Sequence, residues 1–301
     1  ATHLGLALLD PQRARNSLLF KVSGYRDGMA APAGSGDLGA ARQIVQDTGT
    51  GGSWPASTDR VTWALGAGAV LATLPSDSER AEFANVALEA LSNTLENDRL
   101  AAYDSVDGLY RGEQSFLDWR DQSYASWIVK DIAALASSKS LSTNVVHYLA
   151  LTEAAELANA AGDSQRAERY SGWASALKTA IRQRFWQADT GLYSSMTAGA
   201  YDDAALYKYD WLGESLVILS GIASDSEAAS IVAKYPHGPM GAPVIFPQQP
   251  DMAIYHNRAV WPFVTAYGIR AATQVKNAEV FTAGFDSLMQ GAALNLSNME
   301  N

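Results

Sequence analysis

The sequence has 301 residues, 48% of them hydrophobic, which is enough for one large domain or two ordinary ones with a substantial core. It contains no cysteine, so a disulfide scaffold, a thiolate nucleophile and a cysteine-ligated metal are excluded. The net charge of −10 argues against nucleic acid or an anionic membrane surface as a partner. No apolar run approaches the roughly 20 residues that a membrane-spanning helix needs. Periplasmic, secreted and cytoplasmic locations all stay open.

Helical patterns dominate the chain and come in pairs. After a lone helical segment at 4–22, apolar residues at helical spacing predict four pairs of helices. The predicted pairs cover 59–74 with 79–95, 144–161 with 165–186, 210–222 with 227–235, and 256–275 with 279–294. In three pairs a Ser or Asp stands just before the second helix, which favours a tight helical hairpin.

The two helices of each pair differ in composition. The first is rich in Ala, Gly and Leu and nearly uncharged, whereas the second carries Glu, Arg and Lys on one face. This contrast predicts an inner ring of buried helices inside an outer ring of half-exposed ones, an all-α toroid of antiparallel helical hairpins. An open solenoid is the alternative, but solenoid repeats keep a fixed period that these pairs lack. We expect a single domain over 1–301, with short strands at most in its loops.

A short internal repeat supports the hairpin organisation. Asp-Gly-Leu-Tyr at 107–110 follows the second helix of the first pair, and Thr-Gly-Leu-Tyr at 190–193 follows the second helix of the next pair. Glycine, aromatic residues and proline are concentrated in the loops 24–55, 103–127 and 235–255. Long loops of such composition on a helical scaffold are usually functional.

The segment 111–124 is the richest in chemistry. Its carboxylates, those of Glu113, Asp118 and Asp121, lie among aromatic residues that include Trp119. Sugar-cleaving enzymes need this mixture, because aromatic faces stack on sugar rings while carboxylates bind hydroxyls or move protons. The simpler interpretation is a surface loop in which Arg120 pairs with a neighbouring acid.

Further candidate residues stand at the starts of the first helices of the pairs. The set that we expect to contact a sugar is Trp54, Asp59, Arg60, Glu113, Trp119, Arg120, Asp121, His147, Asp210, Trp211, Glu214, His256, Arg258 and Trp261. A plain N-cap at residue 58 or 59 is an equally good explanation of the first cluster. We also expect the three tryptophans at 54, 119 and 261 and the arginines at 60 and 258 to converge on one mouth of the ring with Asp118.

Other chemistries lack their motifs. The four histidines form no pair at i, i+3 or i, i+4, so no metal site is expected. No Gly-x-Gly-x-x-Gly or phosphate-binding loop is present, so no nucleotide cofactor is expected. The Gly-x-Ser-x-Gly elbow of serine hydrolases is also missing.

The hairpin order and three motifs resemble the six-hairpin glycosidases, bacterial glycoside hydrolases with an (α/α)6 toroid, especially their glycogen-debranching-like and trehalase-like members. The motifs are Trp-Pro-Ala-Ser-Thr-Asp-Arg at 54–60, Phe-Leu-Asp-Trp-Arg at 116–120 and Tyr-His-Asn-Arg-Ala-Val-Trp-Pro-Phe at 255–263. Those relatives read Tyr-His-x-Gly-x-x-Trp-Pro in the third motif, where this chain has Asn257-Arg258. The resemblance covers most of residues 50–301.

The resemblance implies an enzyme that hydrolyses a glycosidic bond of an oligo- or polysaccharide with inversion and without a cofactor. It implies Asp118, on a loop of a middle hairpin, as the general acid. It implies Glu300, beyond the Trp-Pro motif, as the general base. Glu113, Asp121 and Glu214 are reserves for these roles.

Two other classes of function stay open. A polysaccharide lyase on an α/α toroid could use Asn144, His147, Tyr148 and Arg258, although the acidic net charge disfavours an acidic glycan as its substrate. A non-catalytic carbohydrate-binding helical domain would need the aromatic residues but not the clustered acids.

Both ends of the sequence look cut. Four helix pairs and a lone segment fall short of the twelve helices of a complete (α/α)6 toroid, and the chain stops directly after a predicted helix. We therefore expect the toroid to be incomplete in this chain and the natural polypeptide to continue past Asn301.

Overall fold

The computed structural model of the protein describes residues 2–24, 42–45, 59–112, 128–197, 204–249, 251–252 and 255–295. The chain divides into two compact units, Ala1–Ser115 with Val146–Thr179, and Phe116–Val145 with Ala180–Asn301. Among the described residues helices predominate, and every strand is two residues long. None of the described helices is long and apolar enough to cross a membrane.

The helices run, in chain order, over Ala7–Leu9 (α1), Pro11–Leu19 (α2), Trp63–Thr73 (α3), Asp77–Ala101 (α4), Ile132–Ser137 (α5), Leu141–Ala160 (α6), Ser164–Phe185 (α7), Trp211–Leu219 (α8), Asp225–Lys234 (α9), Tyr255–Arg258 (α10), Pro262–Gln274 (α11) and Ala278–Asn295 (α12). A π-helical turn over Thr2–Leu6 precedes α1, and 3₁₀ turns cover Asp59–Thr62 and Ile128–Lys130.

The strands form four separate antiparallel pairs. They run over Tyr103–Asp104 (β1), Leu109–Tyr110 (β2), Lys139–Ser140 (β3), Trp186–Gln187 (β4), Leu192–Tyr193 (β5), Met196–Thr197 (β6), Tyr209–Asp210 (β7) and Ile245–Phe246 (β8). The pairs are β1 with β2, β3 with β6, β4 with β5, and β7 with β8. Within the described residues no strand pair is joined to another. The strands therefore lie at the ends of helices and form no larger sheet.

In the first unit, α3 packs against both α2 and α4. Its sequence, Trp-Ala-Leu-Gly-Ala-Gly-Ala-Val-Leu-Ala-Thr, carries no charge, which suits a helix surrounded by others. Gly66 permits a close approach, because a Cβ there would lie 3.1 Å from Leu18 Cδ2. The Ser76 Oγ caps α4 by accepting a hydrogen bond from the Glu79 N–H at 3.2 Å.

In the second unit, α11 packs against both α8 and α12. Helix α8 buries eight of its nine residues, whereas α9 buries three of its ten. The Ser224 side chain caps α9 in a capping box with Glu227. This difference between the two members of a pair is the one that the composition predicted.

The repeated Gly-Leu-Tyr segments form two equivalent β-hairpins. β1–β2 follows α4 directly, and β4–β5 follows α7 directly. Gly108 and Gly191 have φ of 77° and 73°, a conformation that favours glycine over other residues. Tyr110 and Tyr193 end the second strand of each hairpin and are fully buried.

The segment 256–275 differs from its prediction as one helix. Helix α10 ends at Arg258, and α11 starts at Pro262 after an extended Trp261 with φ −102° and ψ 129°. Proline disfavours the helical conformation in the residue before it, so the break falls where the sequence places Pro262. The other predicted helices are present, and α4 runs on to Ala101, beyond its predicted end at 95.

Candidate functional site

The first unit holds a buried chain of polar and charged side chains at the start of α3. The Arg60 guanidinium, on the 3₁₀ turn before α3, donates to Asp98 Oδ1 from the last turns of α4. Asp98 Oδ2 lies 3.3 Å from His147 Nε2 on α6. The side chains of Asp98 and His147 are fully buried, and that of Arg60 is 2% exposed. One carboxylate therefore joins three structural elements.

Tyr110 completes this cluster from the β1–β2 hairpin. Its ring stacks on the His147 imidazole, with centroids 4.0 Å apart and planes 16° from parallel. Burial raises the pKa of the Tyr110 phenol well above its ordinary value, so the phenol is neutral at physiological pH. The His147 ring is thus held between a carboxylate and an aromatic face, which fixes its orientation.

Glu153 lies further along α6 in the same unit. A Cβ built on Gly68 of α3 would lie 2.8 Å from Glu153 Oε2, so the glycine makes room for the carboxyl group. Burial, with a smaller contribution from the Glu156 charge, raises the pKa of Glu153 to about 7. A carboxyl group of this kind can give or take a proton at neutral pH.

The second unit holds a pair of buried acids at the start of α8, one at its N-cap and one in its first turn. Asp210 Oδ1 accepts from the Gly213 N–H and caps the helix, and Glu214 Oε1 accepts from the Tyr193 N–H at 2.8 Å. Burial raises the pKa of Asp210 to about 7. Burial also raises the pKa of Glu214 well above its ordinary value, and the nearby Asp210 charge adds to the effect. Among the described residues, Asp210 Oδ2 and Glu214 Oε2 have no hydrogen-bond partner.

Trp211 anchors the start of α8 in the core. Its indole stacks on Tyr235 with centroids 4.7 Å apart and meets His237 edge-on at 5.4 Å. Burial lowers the pKa of His237. Lys208, just before β7, is also buried, and burial lowers its pKa to about 8. Lys208 forms no ion pair with any residue that the structure describes.

Around the Tyr-His-Asn-Arg motif, Asn257 has a structural role that its sequence did not show. Its Oδ1 accepts from the Gln249 N–H at 2.7 Å, and its Nδ2 donates to the Gln249 carbonyl at 2.7 Å. Arg258 is exposed and lines a cavity of about 240 Å³ with Pro262 and Ser287. Trp261 is 3% exposed, and its ring packs on Phe263 at 5.7 Å.

The remaining predicted site residues are placed as follows. Asp59 begins the 3₁₀ turn before α3, and His256 belongs to α10. The residues that lie outside the described part of the chain are Trp54, Glu113, Asp118, Trp119, Arg120, Asp121 and Glu300. The catalytic pair and the predicted convergence around it therefore stay predictions.

Sequence reasoning singled out Arg60 and His147 but missed Asp98, which binds both. Asp98 lies 38 positions from Arg60 and 49 from His147, so no local motif links them. The chemical rule that a buried arginine needs a carboxylate partner would have indicated an acid beside Arg60, although not which one. Among the described residues no group of His, Asp and Glu side chains could hold a metal ion.

Comparison with known families gives one match. The family model described as the bacterial α-L-rhamnosidase six-hairpin glycosidase domain matches residues 56–207. A comparison with curated protein sequences finds no match.

Several solved structures share the fold at low sequence identity. A GH63 mannosylglycerate hydrolase from Thermus thermophilus, in complex with glucose, has a TM-score of 0.68 and 14% identity, over 97% of this chain and 83% of that one. The neutral trehalase Nth1 from Saccharomyces cerevisiae has a TM-score of 0.60 and 11% identity, over 80% of this chain and 57% of that one. A rhamnosidase from Klebsiella oxytoca with rhamnose bound has a TM-score of 0.51 and 16% identity, over 85% of this chain and 41% of that one.

These likenesses establish the fold that the sequence predicted. It is an all-α toroid of antiparallel helical hairpins. The chain spans little more than half of the yeast trehalase and less than half of the rhamnosidase.

Proposed function

Because this chain belongs to the bacterial α-L-rhamnosidase six-hairpin glycosidase domains, we propose that it hydrolyses a glycosidic bond of an oligo- or polysaccharide with inversion at the anomeric carbon. The single observation that carries the proposal is the family match over residues 56–207. That range contains Asp118 together with the buried cluster of Arg60, Asp98 and His147.

In the proposed mechanism Asp118 protonates the leaving oxygen, and Glu300 removes a proton from the water that attacks the opposite face of the sugar. An inverting pair needs room for that water, so its carboxyl groups lie about 6.5–9.5 Å apart, against about 5–5.5 Å in a retaining pair. Neither reaction step requires a cofactor. Glu113, Asp121 and Glu214 are the alternatives if either assignment fails.

The buried cluster supports a positioning role for Arg60 and His147. Their contacts with Asp98 hold the 3₁₀ turn before α3 against α4 and α6. Asp59, the first residue of that turn, is thereby kept at a fixed place at the start of α3. A fixed turn lets the residues beside it contact a sugar in one geometry, which catalysis by oriented groups requires.

Hydrolysis is tested first with a panel of substrates. The family match and the similar structures suggest α-L-rhamnosides, mannosylglycerate and trehalose, to which neutral and uronate-containing oligosaccharides are added. New reducing ends indicate hydrolysis, whereas the ultraviolet absorbance of an unsaturated uronate would indicate a lyase. Nuclear magnetic resonance of the first product formed gives its anomeric configuration, and retention would contradict the proposed mechanism.

The acid is tested by Asp118→Asn, with Asp225→Asn at an exposed first-turn position of α9 as the matched control. Loss of the acid typically costs about 10²–10⁴ in rate, and the loss is largest with a poor leaving group. The control variant should keep its full rate. Near-full turnover by Asp118→Asn on such a substrate would transfer the role to Glu113 or Asp121.

A further inference from the structure

A groove of about 570 Å³ lies between α4 and α7 in the first unit, and none of its lining residues is among the acids proposed for catalysis. We call it the arginine groove. Asn93, Glu96 and Arg99 line it from α4, and Arg166, Arg169 and Trp173 line it from α7. Its volume lies within the roughly 300–1,000 Å³ of sites that bind small molecules.

The lining of the arginine groove is cationic, although the whole chain has a net charge of −10. Three arginines and a single carboxylate, that of Glu96, are among the residues that line it. Arg169 Nη1 donates to Glu96 Oε1 at 2.7 Å, and Arg166 Nε donates to Asp163 Oδ2 at 2.6 Å. Two of the three cations therefore have a carboxylate partner within the protein.

Arg99 is the third, and it is held by aromatic rings. Its guanidinium carbon lies 3.3 Å from the centroid of the Tyr103 ring and 4.7 Å from that of Trp173. It forms no ion pair with any residue in the described ranges. Stacking covers the faces of the planar guanidinium. Part of its edge interacts with the Tyr110 phenol, and the remaining N–H groups of that edge match the two oxygens of a carboxylate.

Trp173 gives the arginine groove an apolar surface beside this cation. The residue is half-buried, and its ring also meets Tyr170 edge-on at 5.8 Å. A partly exposed indole packs well against the apolar face of a sugar ring. Arg99, which has no carboxylate partner among the described residues, thus lies beside the aromatic surface of Trp173.

From this juxtaposition we propose that the arginine groove is a second, non-catalytic binding site for a carboxylate-bearing sugar unit of an acidic glycan. Arg99 binds the carboxylate, and Trp173 packs against the ring. The choice of a saccharide rests on the proposed function, whereas the choice of a carboxylate rests on Arg99 alone. A site of this kind would hold a glycan chain on the protein while the catalytic acids act elsewhere on it.

The test is isothermal titration calorimetry of the full chain with trigalacturonate and with its methyl ester, which has the same sugar rings without the charge. We expect trigalacturonate to bind at least about tenfold more tightly than the ester, because the hydrogen bonds to the charged group are lost in the ester. Binding should weaken as salt is added. A titration with acetate measures the binding of a carboxylate without a sugar, and acetate should bind far more weakly than trigalacturonate.

Variants locate the site. Arg99→Gln and Trp173→Ala should each weaken trigalacturonate binding by about tenfold or more. Arg166→Gln, on α7 in the same groove, is the second cation variant if Arg99→Gln does not fold. Arg13→Gln makes the same charge change outside the groove and should leave binding unchanged.

Three results would overturn the proposal: no binding of trigalacturonate, equal binding of the ester, or unchanged binding by the Arg99 and Arg166 variants. Titrating the Asp118→Asn variant as well keeps this outcome separate from that of the proposed function. Binding of trigalacturonate without hydrolysis of any substrate in the panel would contradict the enzyme activity alone, and hydrolysis without binding at Arg99 would contradict the groove alone.

Discussion

The indole of Trp211 occupies the space that Gly268 leaves open on α11. A Cβ built at residue 268 would lie 2.6 Å from Cε2 and 2.8 Å from Cζ2 of that indole. Trp211 is 1% exposed and has Tyr235 stacked against it, so it has no room to move away. The packing of α8 on α11 therefore requires glycine at this position.

Gly268→Ala should destabilise the protein by about 1–3 kcal/mol, because the added methyl group overpacks a filled core. Urea unfolding followed by tryptophan fluorescence measures the change. Gly172→Ala in α7 is the matched control, since no atom lies within 4 Å of its added Cβ. A helical glycine with free space should gain about 0.4–1 kcal/mol on this change. If the two variants change the free energy of unfolding equally, the contact with Trp211 does not require glycine at residue 268.

The buried carboxyl group of Asp210 should make stability depend on pH in the acid range. Its pKa is raised to about 7, so the folded state holds a proton that the unfolded chain has released. The stability from this group is complete below the unfolded pKa of about 4 and is lost as pH rises through about 7. A difference of one between the folded and unfolded pKa values corresponds to roughly 1.4 kcal/mol of stability.

Asp210→Asn should remove the part of the pH dependence that Asp210 contributes, because an amide can still cap α8 through its oxygen without carrying a charge. The buried Glu214 and Glu153 keep their own contributions. The variant should therefore gain stability relative to the native chain between about pH 5 and pH 7.5 in urea titrations. Asp225→Asn, at an exposed position, should follow the native chain across the same range. If the Asp210 variant and the native chain gave parallel curves, the buried acid would not titrate as described.

Lys208 should produce the opposite slope at alkaline pH. Burial lowers its pKa to about 8, so above that pH the folded state releases a proton that the unfolded chain keeps until about 10.4. Stability from this group should therefore rise between about pH 8 and 10.4. Lys208→Met should raise stability at pH 7 and remove the rise, whereas Lys130→Met at an exposed position should do neither. A native chain whose stability does not rise in this range would contradict the burial cost assigned to Lys208.

Local patterns were enough to predict the helical hairpins. Nearly uncharged helices alternate with helices that carry charges on one face, and capping residues such as Ser76 and Ser224 precede the second helices. The Gly-Leu-Tyr repeat supported the repetition of helical hairpins, and in the structure its two glycines adopt positive φ in equivalent turns. Helical periodicity alone does not show the break between Arg258 and Pro262, which arises because a proline disfavours the helical conformation in the residue before it.

The candidate site was only partly predictable, because its contacts join distant parts of the chain. Arg60 and His147 stood out as unusual residues at helix starts, whereas Asp98 lies beyond the predicted end of its helix at 95. Its burial follows from the extension of α4 to Ala101, which the sequence pattern did not predict. Asn257 likewise showed its structural role only through its contacts with Gln249.

The last prediction concerns the charge that Asp98 supplies to this cluster. Asp98→Asn keeps the shape of the side chain but leaves the buried Arg60 guanidinium without a countercharge. Removing one partner of a buried ion pair typically costs about 3–5 kcal/mol, because the remaining charge stays out of water. The matched control is Glu89→Gln, which breaks the half-exposed pair with Arg42 at 3.4 Å and should cost less than about 1 kcal/mol. Chemical denaturation of both variants measures the difference, and Asp98→Asn should also lower glycosidase turnover because the turn that carries Asp59 loses its anchor. If Asp98→Asn lowers the free energy of unfolding by less than about 1 kcal/mol, Arg60 does not depend on the Asp98 charge. The proposed positioning role of the cluster would then be wrong.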